Sequence, residues 1–174
     1  MTGADRESND PRETGTQLRP GLRYTINERY PGSMIEKSDF VPLARSRKPL
    51  SLSRLKLISS CGVHSKSDSA LDVCHPFGEF RFRRVPSTAR HEDLIIHQLK
   101  YPHDDADLDI NVIFPIERLQ ELAAEGVLGG LTRNLFSFIG YNMDPEKFER
   151  TVAHGIAEAV AMEEEADVAL LVPA

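Results

Sequence analysis

The pattern of hydrophobic and polar positions divides the chain into a polar beginning and a patterned remainder. Residues 1–20 are rich in Gly, Pro, Thr and charged side chains. Such a segment buries too little apolar surface to offset the entropy of ordering, so we expect a disordered tail. Residues 21–50 mix aromatic residues with Pro and Gly, which indicates an extended lead-in with short helical turns. Residues 51–174 are predicted to form the folded domain.

Five segments of this domain have the pattern of strands. Residues 52–60 suit a strand that is buried on at least one face, and residues 79–85 alternate apolar and basic side chains as a half-exposed strand does. Residues 94–99 and 136–141 are predicted to be two further short strands. The continuous apolar run at residues 167–172 is typical of a central parallel strand.

Two helices are predicted among these strands, and residues 101–111 are expected to form a polar loop. The first helix spans residues 115–125, with Pro115 in its first turn and Gly126 as its C-terminal cap. The second runs from Asp144, as N-cap, to about residue 164. Strands followed by helices predict an α/β fold, a single domain with a small, mostly parallel sheet and flanking helices.

Composition excludes several classes of function. The net charge of -6 is unfavourable for nucleic acid binding, which needs a clustered basic surface. The sequence has no leader-like apolar run at its start and no stretch of roughly 18 apolar residues that would span a membrane. Its two cysteines, Cys61 and Cys74, form no disulfide framework. We therefore predict a cytoplasmic protein with reduced thiols that binds neither nucleic acid nor membrane.

Several fragments between residues 47 and 173 resemble the component B family (selenoprotein B) of the glycine, sarcosine, betaine and D-proline reductases. Residues 61–68, CGVHSKSD, are similar to the Gly-Val-His-x-Lys-Ser-Asp of that family. The most specific part is DADLDINVIFPIERL at residues 105–119. RKPLS, FRFRRVP, SFIGY and ADVALLVP complete the resemblance.

This resemblance implies reductive cleavage of a C–N bond next to a carboxylate, by a redox cysteine or selenocysteine beyond a strand like residues 167–172. No residue follows Ala174 to supply that group, so we expect a short form that lacks the cysteine/selenocysteine segment and is no reductase by itself. One hypothesis is then a non-redox enzyme that performs proton transfer or addition–elimination on an amino-acid-like or carbonyl substrate. The alternatives are a half-enzyme subunit whose partner chain carries the redox residue, and a homo-oligomeric scaffold.

Three residues are candidates for catalysis. His64 follows the first strand and is the best candidate for a general acid or base, although a loop histidine can also simply fix a turn. Cys61 lies beside it and can form a Cys–His nucleophile, or can fill space in the core. Tyr141 can donate a hydrogen bond to a substrate oxygen or pack. His97, within the predicted strand at residues 94–99, is interpreted as a packed residue.

Further polar residues are candidates for binding a small-molecule substrate or a metal ion. No cofactor is predicted, but the carboxylates and histidine of residues 103–111 can bind a divalent metal, with His103, Asp104 and Asp107 as candidate ligands. Their spacing matches no established metal motif, and Asp109 and Asn111 can equally cap turns. The candidate substrate-binding residues are Lys66, Asp68, His103, Asp109, Asn111 and Arg118.

Overall fold

Seven strands and four α-helices are present in the part of the chain that this computed structural model describes, residues 28–29, 31, 45–163 and 166–174. The strands are β1 (Arg54–Ser59), β2 (Val63–Ser65), β3 (Phe82–Pro86), β4 (Leu94–Ile96), β5 (Gly130–Leu131), β6 (Asn134–Phe138) and β7 (Val168–Val172). The helices are α1 (Asp104–Leu108), α2 (Ile116–Ala124), α3 (Pro145–Phe148) and α4 (His154–Glu163), and a π-helical stretch (Glu149–Ala153) joins α3 to α4.

The chain divides into two units, Met1–Asp39 and Phe40–Ala174, and all these elements belong to the second. In the first unit, Glu28 and Arg29 are helical. The predicted tail at residues 1–20 and most of the predicted lead-in lie outside the described residues.

Strand β1 is the centre of the main sheet. Strand β7 pairs with it in parallel along Leu55–Ser59. Leu55 and Ser59 also pair in parallel with β5 and β6, so those two strands lie on the opposite edge of β1. Strand β3 runs antiparallel to β6. Four of these five strands are therefore parallel, which confirms the predicted α/β fold with a mostly parallel sheet.

Alternating side chains of β1 and β6 face two separate apolar clusters, because successive residues of a strand point to opposite faces of the sheet. Leu55, Leu57 and Leu135 belong to the larger cluster, which also takes up Ile116 and Leu119 of α2. Phe136 belongs to the smaller cluster, whose other buried members are residues of the segment 145–163: Val152, Ile156 and Ala159. Helices thus cover both faces of the sheet, as expected for an α/β domain.

A lysine in the middle of β1 is fully buried. The prediction of a buried strand at residues 52–60 rested on its apolar side chains and did not include this lysine. The Nζ atom of Lys56 donates a hydrogen bond to the carbonyl of Asn134 at 2.7 Å and lies 4.3 Å from the ring centroid of Phe136. The carbonyl and the aromatic face both stabilise the ammonium group. Lys56 therefore ties β1 to β6 through its side chain.

Strands β2 and β4 form a separate antiparallel ribbon in which His64 pairs with Ile95. Gly62 joins this ribbon to the main sheet. Its N–H donates to the carbonyl of Phe138 at 2.8 Å, and its own carbonyl accepts from the N–H of His97 at 3.0 Å. The predicted strand at residues 94–99 ends at Ile96, so His97 lies just beyond it.

Two predictions from the pattern are wrong. The expected loop at residues 101–111 contains helix α1 and a 3-10 turn, Ile110–Val112. Asp104 and Asp105 stabilise the first turn of α1 by opposing the helix dipole, and Ala106 is buried. Strand β7 is parallel as predicted, but it is an edge strand, since β1 is its one partner among the described strands. Its Leu171 is 68% exposed.

Both predicted helices are confirmed, with small differences at their ends. Helix α2 begins after Pro115, and Gly126 follows it with a φ of 73°, the left-handed conformation of a C-terminal cap. Asp144 caps α3 by accepting a hydrogen bond from the N–H of Lys147 at 2.9 Å. Among the described residues, none of the helices combines the length and the apolar character that a membrane crossing requires.

We predict that Gly62→Ala destabilises the domain more than Gly126→Ala does. Both glycines have a φ near +70°, which costs an L-residue about 1–2 kcal/mol. A Cβ at Gly62 would lie 2.4 Å from the carbonyl oxygen of His97, whereas nothing lies within 4 Å of one at Gly126. The clash adds about 1–3 kcal/mol. Urea denaturation of both variants measures the difference, and equal losses would contradict it.

Candidate functional site

His64 and His97 form a hydrogen-bonded pair where the ribbon meets the main sheet. The Nε2 atom of His64 lies 2.8 Å from Nδ1 of His97, and the ring centroids are 5.0 Å apart. The Nδ1–H of His64 donates to the carbonyl of Ser65 at 2.8 Å. His64 is buried at 2% exposure, and His97 is half-buried. The pair thus extends from the interior toward the surface.

The environment of His64 favours its neutral form. Burial is the largest effect and lowers the pKa of the imidazole below its ordinary value. The hydrogen bond to Ser65 acts in the opposite direction. His97 and Arg83 lower the pKa further, and Asp68 raises it. His64 is therefore a neutral hydrogen-bonding group at neutral pH.

Sequence reasoning missed His97 as a site residue. Its place in an apparent strand suggested packing, but the strand stops one residue earlier. The antiparallel register of β2 and β4 then brings His97 next to His64. The signal that could have found it is the pairing of two short apolar segments that each carry one histidine.

The surroundings of Cys61 do not favour a Cys–His nucleophile. Its Sγ lies 3.5 Å from Oγ of Ser137, and the residue is fully buried. Burial raises the pKa of the Cys61 thiol, although hydrogen bonds with Ser59 and Ser137 oppose the shift. A buried thiol of this kind is a poor nucleophile. Its surroundings favour the core-filling role.

Two tyrosines, Tyr101 and Tyr141, lie a few residues beyond the ends of strands β4 and β6. Tyr141 places its hydroxyl 3.5 Å from the carbonyl of Pro76, and Nζ of Lys100 lies 4.4 Å from its ring centroid. Tyr101, which the sequence did not single out, donates to the carbonyl of Cys61 at 3.0 Å. Burial, the largest effect, raises the pKa of Tyr101 to about 12, so its hydroxyl stays protonated and acts as a donor.

Lys66 borders an open cavity of about 430 Å³ at the end of the ribbon. Its Nζ donates to the carbonyl of Glu92 at 2.6 Å. Asp68 is half-buried, and its charge reaches His64. His64 itself does not line this cavity, but the adjacent Ser65 does. The lining residues are Ser65, Lys66, Ser67, Pro86, Thr88, Ala89, Glu92 and Asp93.

His103 and the acidic residues that begin helix α1 border a second cavity, of about 370 Å³. His103, Asp104 and Asp105 form its polar part, with Tyr101 and Ile113 among the apolar residues. Nδ1 of His103 lies 2.9 Å from a carboxylate oxygen of Asp107. Within residues 45–163 and 166–174, no three His, Cys, Asp or Glu side chains come together as a group that could hold a metal ion.

Asp109 and Asn111 support the start of helix α2. The Oδ1 atom of Asn111 accepts from the N–H groups of Glu117 and Arg118 at 3.0 and 3.3 Å. These N–H groups have no partner inside the helix, and the N-cap residue is a proline without a side-chain acceptor. The Nδ2 of Asn111 donates to the carboxylates of Asp109 and Glu117. Arg118 pairs with Glu121 of the same helix at 2.9 Å.

Comparison with known proteins identifies a relative. The chain is similar to the D-proline reductase subunit gamma of Acetoanaerobium sticklandii, with 30% identity over 132 residues. This chain is distantly related to the proline reductase family. The match covers 76% of the chain but 52% of the relative, so the chain spans about half the length of the curated protein that it matches. No family model and no solved structure matches the chain.

We predict that replacement of Asn111 raises the pKa values of Asp109 and Glu117. Hydrogen bonds from Asn111 are the largest effect that holds both carboxylates below their ordinary pKa values. Asn111→Asp keeps an acceptor for the helix but loses the donor, and Asn111→Ala loses both. The alanine variant should also cost about 1–2 kcal/mol of stability. Carboxylate titration by NMR checks the shifts, and unchanged pKa values in both variants would refute the assignment.

We predict that stability falls on acidification through the titration of His64. The unfolded state takes up a proton near pH 6.5, but folded His64 does so at a lower pH, because its pKa is lowered. Protons therefore favour unfolding, and the stabilisation present above pH 6.5 is lost as the pH falls through the folded pKa. In His64→Gln, the free energy of unfolding should depend less on pH.

The matched control is His154→Gln, since His154 is exposed on helix α4. This variant should keep the pH dependence of the unmodified protein. Denaturant titrations between pH 7.5 and 5 compare the three proteins, a range that spans the ordinary histidine pKa of about 6.5. Equal slopes for the two variants would show that His64 is not the titrating group.

Proposed function

We propose that this chain is a component of a reductase complex related to D-proline reductase, in which it supplies a proton-transferring site. The observation that carries the proposal is the 30% identity with the gamma subunit over 132 residues, a match that includes most of the folded domain. Reductive cleavage of a C–N bond consumes protons as well as electrons. The His64–His97 pair supports a role in moving those protons, because imidazole titrates near neutral pH.

The proposal places the redox cysteine or selenocysteine on a partner chain. A redox nucleophile needs an accessible, low-pKa thiolate or selenolate. Cys61 is fully buried and its pKa is raised, so it does not meet that need. The half-enzyme hypothesis derived from the sequence accommodates this arrangement.

The outer edge of β7 supports the proposal of a partner chain. Among the described strands, β7 has a partner on one side only, and Leu171 is 68% exposed. An open edge presents backbone N–H and C=O groups that a strand of another chain can pair with. A second copy of this chain can also pair with this edge, as in the homo-oligomer hypothesis.

The cavity at the end of the ribbon suits a small zwitterionic substrate. Lys66 offers a positive charge to a carboxylate, and Glu92 and Asp93 offer negative charge to an amine. Hydroxyl groups of Ser65, Ser67 and Thr88 add neutral hydrogen-bonding partners. An amino acid such as D-proline has both charges on one small apolar body. We therefore assign substrate binding to Lys66 and this cavity.

A second candidate function is a non-redox enzyme that transfers a proton to or from an amino-acid-like or carbonyl substrate. The His64–His97 pair favours it, because a histidine held by a second histidine is a suitable general base. It requires neither a reductant nor a partner chain. Such an enzyme would belong to a biosynthetic or amino-acid pathway.

One experiment separates the two functions. The tagged chain is isolated under mild conditions from the cells that produce it, and D-proline is supplied with and without a dithiol reductant. The proposed function predicts dithiol-dependent loss of D-proline by the isolated complex, with L-proline as the control substrate. Exchange of the α-hydrogen with deuterated water in the absence of reductant would instead support the non-redox enzyme. Absence of both reactions would contradict the proposed function and would exclude D-proline as the substrate of a non-redox enzyme.

The contribution of the cavity is tested with Lys66→Met in the same isolated complex. Loss of the positive charge should raise the KM for D-proline by about tenfold, the equivalent of one charge-assisted hydrogen bond of about 1.4 kcal/mol. Lys100→Met is the matched control, since Lys100 lies over the ring of Tyr141 and does not line the cavity. An equal KM in both variants would remove Lys66 from the site.

A further inference from the structure

The hydrogen bonds of the histidine pair fix where its protons lie. A carbonyl oxygen only accepts, so the contact of Ser65 with Nδ1 of His64 places a proton on that nitrogen. Neutral His64 then has no proton on Nε2, and this atom must accept from His97. The proton of neutral His97 is therefore on Nδ1, and its Nε2 carries a lone pair.

These proton positions give the hydrogen bond between the two rings a direction, with His97 as the donor and His64 as the acceptor. Both nitrogens of His64 are used, one by Ser65 and the other by His97. Nε2 of His97 has no hydrogen-bond partner among residues 45–163 and 166–174. His97 is also half-buried, whereas His64 is 2% exposed. Of the four ring nitrogens, Nε2 of His97 is thus the one that no described residue bonds.

We propose that Nε2 of His97 is the atom that takes up and returns protons at this site, and that His64 is a positioning residue. His64 holds His97 in the tautomer whose lone pair points away from the pair. This inference deepens the proposed function, because it names the base but rests on that function for the identity of the substrate. It differs from the sequence prediction, which gave the acid–base role to His64.

The proton balance at the pair is simple. A proton from solvent adds to Nε2 of His97, which does not line the cavity assigned to the substrate, and the resulting imidazolium keeps its Nδ1–H bond to His64. The positive charge stays on His97, because burial and the nearby charge of Arg83 disfavour a cation at His64, a bias that Asp68 only partly opposes. Loss of the same proton from Nε2 restores the starting state.

The backbone holds His97 in place for this role. Its N–H is bonded to the carbonyl of Gly62, and the absence of a Cβ at Gly62 leaves room for the His97 carbonyl. The rings of His64 and His97 meet edge to edge through their hydrogen bond, at an interplanar angle of 27°. His97 is therefore oriented while no described residue occupies its Nε2, as a proton-exchanging group requires.

Labelling with diethyl pyrocarbonate tests which nitrogen is accessible, since this reagent acylates neutral imidazole nitrogens that carry a free lone pair. In the purified chain at neutral pH, we expect His97 to acquire the label and His64 to remain unlabelled. Exposed His75 and His154 report that the reagent is active. In His97→Ala, Nε2 of His64 loses its donor, so His64 should become labelled. Labelling of His64 before His97 in the unmodified chain would overturn the proposal.

Imidazole nitrogen NMR tests the positioning role. His97 should be the Nδ1–H tautomer in the unmodified chain and in His64→Gln, because the side-chain carbonyl of glutamine can still accept from Nδ1. His64→Ala should lose this tautomer at His97. A purely structural role for His64 would leave the tautomer unchanged in a folded alanine variant, and that result would refute the inference. Unchanged amide spectra elsewhere show that each variant is folded.

These measurements stand apart from the test of the proposed function. Labelling and NMR use the chain alone and need no substrate, so they can fail while the isolated complex still consumes D-proline. Conversely, a complex without D-proline activity would leave the tautomers as inferred. If the proposed function holds, His97→Gln should lose turnover with little change in the KM for D-proline. Full turnover in that variant would exclude His97 as the base.

Discussion

The close contact between Gly62 and His97 holds the candidate site together. Gly62 bonds through its N–H to strand β6 and through its carbonyl to His97, so a single residue joins the main sheet to the β2–β4 ribbon. Its φ of 72° and its lack of a Cβ allow this geometry, because a Cβ would lie 2.4 Å from the His97 carbonyl oxygen. The position of the histidine pair relative to the sheet follows from this contact.

The two histidines of the pair experience different environments, and this difference gives the site its chemistry. His64 is buried and is favoured in its neutral form, whereas His97 is half-buried and has one nitrogen that is not used by the described protein groups. A buried neutral acceptor beside a more exposed base orients that base without competing for its proton. If the proposed function holds, this base would exchange the protons that reductive cleavage of a C–N bond consumes.

The sequence predicted the parts of the fold that depend on local patterns. Gly126 and Asp144 mark helix ends as predicted, whereas Pro115 lies one residue before its helix and not in the first turn. The edge position of β7 and the burial of Lys56 depend on strand order, which an apolar run does not encode. His64 was found because it follows a strand, but its partner His97 is 33 residues away and is brought close by the register of two three-residue strands. Asn111 was a candidate substrate-binding residue with turn capping as the alternative, and its bonds to Glu117 and Arg118, which agree with the alternative, needed the structure.

Neutron diffraction from deuterium-exchanged crystals at neutral pD observes the protons of the histidine pair directly. We expect deuterium on Nδ1 of His64, deuterium on Nδ1 of His97 and none on either Nε2. Deuterium on Nε2 of His64, directed at His97, would make His64 the donor and contradict the proposed roles of the two histidines.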